Sequence, residues 1–160
     1  MLSLKTIRTL TLGLTLAAPV AMAGDKAATS GCPAGTHQVG SKAEGLSCIK
    51  SNDPRGAQIA HGAYVEYHPN GQKAAEGQFA DGLKVGTWTF YDATGKVRGT
   101  ADFKDGGWHG KRVMYFPNGK PQLVEEYKNG RKHGVVTEMA DDGRVVSQVQ
   151  YDNNRVVSAQ

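Results

Sequence analysis

Residues 86–109 read GTWTFYDATGKVRGTADFKDGGWH, and the same 24-residue frame fits the chain on either side without a gap. Upstream, residues 62–85 are GAYVEYHPNGQKAAEGQFADGLKV; downstream, residues 110–133 are GKRVMYFPNGKPQLVEEYKNGRKH and residues 134–157 are GVVTEMADDGRVVSQVQYDNNRVV. The first position is always glycine (Gly62, Gly86, Gly110, Gly134), and so is the tenth (Gly71, Gly95, Gly119, Gly143). The eighteenth is always a ring: Phe79, Phe103, Tyr127 and Tyr151. Self-similarity at a fixed period is the signature of a repeat architecture, in which one supersecondary unit recurs and neighbours cover each other's apolar surface.

Periodicity within a unit gives its local structure. Positions four and six hold Val65 and Tyr67, Thr89 and Tyr91, Val113 and Tyr115, Thr137 and Met139, the period-two pattern of a strand with one covered side. After a turn at HPNG, DATG, FPNG or ADDG, a second alternating run ends on the ring, preceded in the first two units by small residues such as Gly77 and Ala101. Each unit closes on Asp81-Gly82, Asp105-Gly106, Asn129-Gly130 or Asn153-Asn154, residues that accept the positive dihedral angles of a tight hairpin turn. The expected fold is therefore all-β, an elongated antiparallel meander of four 24-residue β-hairpin repeats in a single-layered sheet. Strands about 4.8 Å apart make successive units advance by about 10 Å. The stretch DGGWHG at 105–110, which has the ingredients of a catalytic turn, becomes a unit boundary, and only Trp108 within it is not explained by the repeat.

The flanks are of a different kind. Residues 1–23 carry Lys5 and Arg8, then the run LTLGLTLAAPVAM, then Ala21-Met22-Ala23 before Gly24, the three-part pattern of a secretory signal peptide. Export to the periplasm or the extracellular space is the expectation. Removing that segment leaves 17 Lys and Arg against 15 Asp and Glu, a formal charge of +2. Nucleic-acid binders concentrate basic residues on one face, whereas here they are interspersed with acids. Attraction to anionic lipid is equally weak at that charge, so membrane-surface contact ranks below a protein partner. Residues 24–60 are expected to be a linker and an N-terminal cap closed by a Cys32–Cys48 disulfide. Oxidising compartments favour such pairing, and a loop of this length gains about 3 kcal/mol in the chain-entropy model. The repeat domain spans 61–157, and 158–160 form a tail.

The glycine spacing, the GTWTFY core of the second unit and the turn punctuation of YKNGRKHG resemble the bacterial MORN-repeat variant family, many of whose members carry an antitoxin-like label. The resemblance covers residues 61–157 and implies a hairpin-repeat sheet used for contacts with proteins or membranes, without a catalytic centre. The third and fourth units depart from the pattern, with Arg112 and Val136 replacing the aromatic residue at position three.

No cofactor, metal or small-molecule substrate is expected. His109 and His133 are equivalent residues about 10 Å apart by strand spacing, and zinc needs its ligands about 2 Å from the ion. No serine occupies a strained nucleophile turn, and phosphate loops need a helix that the sequence does not offer. Contact chemistry is better represented. Position three and five residues of the middle units, Trp88 and Phe90 with Arg112 and Met114, form an aromatic and cationic face that Trp108 extends, and interface hot spots are rich in such residues. Two readings of Trp88 stand side by side, contact residue or local core. The function expected is a non-enzymatic, exported repeat protein making protein–protein contacts in the cell envelope. An immunity protein against an envelope-acting toxin is the alternative, and an envelope hydrolase ranks below both.

Overall fold

The computed structural model describes residues 31–50, 54 and 56–159, so the expected signal segment at 1–23 and the start of the linker lie outside the described residues. The strands are β1 (Thr36–Ser41), β2 (Gly45–Lys50), β3 (Ala60–Tyr67), β4 (Lys73–Ala80), β5 (Leu83–Tyr91), β6 (Val97–Lys104), β7 (Gly107–Tyr115) and β8 (Pro121–Lys128). A two-residue β9 (Arg131–Lys132) precedes β10 (Gly134–Met139), β11 (Val145–Asp152) and β12 (Arg155–Ala159). All pair antiparallel in one sheet of 12 strands, each beside its sequence neighbour except that β10 pairs with β8 and β9 lies off the path. The described residues contain no helix. This is the all-β hairpin meander expected from the repeat.

Two turn types alternate, and the residues dictate both. At the end of each unit both central residues have positive φ: 50° and 84° at Asp81-Gly82, 51° and 80° at Asp105-Gly106, 52° and 77° at Asn129-Gly130, 50° and 69° at Asn153-Asn154. That is the type I′ geometry whose twist matches paired strands. Each of these turns also ties its unit to the previous junction. Gly82 N–H donates to Ala60 O (2.8 Å), Gly106 to Lys84 O (3.0 Å), Gly130 to Trp108 O (2.9 Å) and Asn154 to Lys132 O (2.9 Å).

The turn in the middle of a unit is longer. His68 N–H donates to Gln72 O and Gly71 N–H to His68 O, both at 2.8 Å, and the pattern recurs at Asp92–Lys96, Phe116–Lys120 and Ala140–Arg144. Its glycine is left-handed, with φ between 81° and 96°, which completes a type I turn with a bulge. The register slips by one residue at Glu66/Tyr67, Phe90/Tyr91, Met114/Tyr115 and Glu138/Met139.

Register corrects the expected assignment of faces. Gly62 lies opposite Phe79 and Tyr64 opposite Gly77; Gly86 lies opposite Phe103 and Trp88 opposite Ala101. The rings at position eighteen therefore share a face with position three, not with positions four and six. On that face lie the buried side chains Ala75, Trp88, Ala101, Glu125 and Tyr127. Positions four and six, such as Val65, Thr89, Tyr91 and Val113, line the other face and are half-covered. There Tyr91 Oη donates to the Glu76 carboxylate, which Lys73 also holds at 2.7 Å.

The N-terminal segment is more regular than its polar sequence suggests. Cys32 and Cys48 are bonded, with Cα atoms 5.6 Å apart, and β1 and β2 form a further hairpin whose inner strand pairs with β3. Cys48 and Ile49 are buried there, 3 % and 8 % exposed.

Candidate interaction surface

Trp88 is 1 % exposed and is the largest fully buried side chain among the described residues, which removes it from the expected contact set. Its ring centroid lies 5.5 Å from Tyr64, 5.1 Å from Phe79 and 6.0 Å from Phe103, so one indole joins two units. Gly77 makes this fit, because a Cβ built there would overlap the indole ring. The indole N–H donates to Gln78 O at 3.2 Å, so no donor is left stranded, and Lys84 Nζ stands 4.1 Å over the ring. The pairs with Phe79 and Phe103 are edge-to-face, and such pairs contribute about 0.5–1.5 kcal/mol each beyond the area they cover.

The other four expected residues, Phe90, Trp108, Arg112 and Met114, line one open hollow of about 390 Å³. β5 supplies Phe90 on one wall, and β7 supplies Trp108, Arg112 and Met114 on the other. β6 makes the floor, where Gly99 and Ala101 present almost no side chain; Gly99 lies opposite both Phe90 and Met114. Arg98 also lines the hollow, as do Tyr91, Thr100 and Val113, and was not among the expected residues. Alternation alone sends Arg98 away from Gly99's face, and the bulge at Phe90/Tyr91 spoils that count.

Arg112 is anchored from beneath. It pairs with the Glu125 carboxylate, and Lys132 Nζ holds the other carboxylate oxygen at 2.8 Å. Glu125 is 3 % exposed. Burial pushes its pKa up, but the hydrogen bonds and charges of Lys132 and Arg112 outweigh that and hold it below the ordinary value. The same geometry accounts for the departure in the third unit: position three faces position sixteen, so Trp88 over small neighbours is exchanged for Arg112 against an acid. Arg112 also reaches Met114 Sδ at 3.5 Å and lies 5.3 Å from the Trp108 centroid.

Trp108 proves to be a repeat position after all. Lys84 lies 5.4 Å from the Phe103 centroid, Trp108 4.8 Å from Tyr127 and Lys132 5.4 Å from Tyr151, each covering the ring of the next unit. Trp108 does this while remaining 38 % exposed. The histidines of DGGWHG and its equivalents serve the turns. His61 Nδ1 lies 2.9 Å from Asp81 Oδ1, His133 Nδ1 lies 3.1 Å from Asp152 Oδ1, and His109 Nδ1 accepts from Asn129 N–H at 3.4 Å. Among the described residues no three His, Cys, Asp or Glu side chains gather at a point where a metal could sit.

Residues 60–81, 84–105 and 108–129 each match the MORN repeat variant family model. No curated protein matches the chain. Among solved structures, a TarM variant from S. aureus in complex with fondaparinux, alpha-GlcNAc-glycerol and UDP is similar at 15 % identity and TM-score 0.35, over 77 % of this chain and 21 % of that one. A second TarM structure is similar at 14 % identity and TM-score 0.33, over 76 % and 22 %. The chain thus spans roughly a fifth of those proteins' length. MORN repeats are non-catalytic modules that contact proteins or membrane lipids. Three consecutive matches at a 24-residue spacing identify residues 60–129 as repeats of the MORN repeat variant family.

Proposed function

We propose that the protein is an exported, non-enzymatic repeat protein that binds another protein in the bacterial cell envelope, through the hollow between β5 and β7. One observation carries this reading: Phe90, Trp108, Arg112 and Met114 come from two strands to surround one open concavity of about 390 Å³. Its lining includes the Phe90 and Trp108 rings, the Met114 thioether and the Arg112 guanidinium, the chemistry that interface hot spots favour. The signal-like N terminus supports the envelope assignment, and the non-catalytic character of the family supports the absence of an activity.

A photo-crosslinking amino acid placed at Trp108 in cells, with a control at Val146, tests the surface. Both positions are exposed, 38 % and 61 %, so accessibility alone does not separate them. A discrete adduct is expected from position 108, absent from 146 and lost when Met114→Lys is added. Equal labelling at both positions would refute the assignment. Export is tested separately, by sequencing the N terminus of protein released by osmotic shock, which should begin at Gly24.

A further inference from the structure

The charge around the hollow names its occupant. Arg112 and Lys132 share one carboxylate, Glu125, so that triad keeps a net single positive charge. Arg98 adds a second guanidinium to the lining; it is exposed and has no acidic partner among the described residues. No carboxylate lines the hollow. Apolar walls with uncompensated guanidinium charge suit a side chain that buries a ring or an aliphatic group beside an anion, because guanidinium pairs with carboxylate in a planar, two-pronged geometry. The hollow's volume of about 390 Å³ accommodates a large side chain.

Resting on the contact reading above, we propose that the hollow captures an acidic peptide segment of the partner. A Phe, Trp, Tyr or Leu of that segment seats between Phe90 and Met114, and an adjacent Asp or Glu pairs with Arg98 and Arg112. Apolar burial supplies the anchoring, and the charge pairing selects the partner and sets the salt dependence.

Random heptapeptides displayed on phage are selected against the immobilised full chain and, in parallel, against Arg98→Glu. The exposed, unpaired Arg98 makes that substitution compatible with an unchanged fold, which circular dichroism verifies. The wild type should enrich peptides in which Asp or Glu lies within three residues of an aromatic residue or Leu. A synthetic peptide of that class should bind Arg98→Glu about tenfold more weakly, a loss of about 1.4 kcal/mol. Enrichment of uncharged or basic sequences, or equal enrichment by both proteins, would overturn the proposal. Binding to phosphatidylglycerol vesicles that Arg98→Glu abolishes, with no peptide enriched, would also overturn it by assigning the charge to lipid. A position-108 adduct that survives Arg98→Glu would leave the contact surface standing and reject only its acidic occupant.

Discussion

Gly77 and Glu125 occupy the same position in the first and third units, two repeats apart, and illustrate how one site accepts opposite chemistry. At Gly77 the missing Cβ is the space that the Trp88 indole fills. Gly77→Ala is expected to lower unfolding free energy by about 2 kcal/mol, the usual cost of overpacking. Urea denaturation followed by tryptophan fluorescence reads it directly, and a neutral result would show that the ring row can shift. At Glu125 the same position carries a carboxylate, which Arg112 of its own unit and Lys132 from the following junction hold. A carboxyl held below its ordinary pKa contributes stability above the unfolded value, and that contribution is lost as pH falls through the folded one. Arg112→Met with Lys132→Met reverses the sign by leaving the buried carboxylate alone. The double variant should lose about 3 kcal/mol near pH 7 and less near pH 4, where protonation relieves the buried charge. Denaturation at both pH values checks this; a gap that does not narrow on acidification would mean that the triad does not set Glu125's charge.

The hairpin is the element that the chain specifies most locally. Asn129 has φ 52° beside Gly130 at 77°, and its side chain makes no hydrogen bond that the turn depends on. Asn129→Val should therefore cost about 1–2 kcal/mol from left-handed strain alone, while Asn129→Gly should be nearly neutral. Thermal melts of the two variants separate strain from lost contacts, since both remove the same amide. The NG and DG pairs that close the units were legible because such a turn is decided by two residues. The faces were not. The bulged turn in the middle of each unit inserts one residue, and a one-residue slip carries every side chain of a strand to the other side of the sheet. Positions four and six were accordingly expected at the core, whereas Trp88, at position three, is the most buried large side chain. The bulge also hid Arg98, whose place beside the hollow does not follow from counting residues along β6.

At the largest scale the described residues from 31 to 159 form a row of hairpins in which each touches its neighbours, so disturbances should stay local. Reducing the Cys32–Cys48 bond should remove about 3 kcal/mol from the stability of the N-terminal end. Hydrogen exchange should then rise in β1 and β2 while β5 to β8 keep their protection; uniform loss across the sheet would contradict a nearest-neighbour array. The ends differ in cover: Cys48 and Ile49 are buried at one, while Val156 and Val157 remain 59 % and 64 % exposed at the other. The sequence by itself determined the hairpins, their 24-residue period and the positive-φ turns, because these depend on residues close together in the chain. Which face is buried, the seating of Trp88 between units, the Arg112–Glu125–Lys132 triad and the gathering of Phe90 with Arg98, Trp108 and Met114 were decided only by tertiary structure. They rest on the register between strands, and the bulges within and between units set that register in a way that alternation along a single strand does not carry.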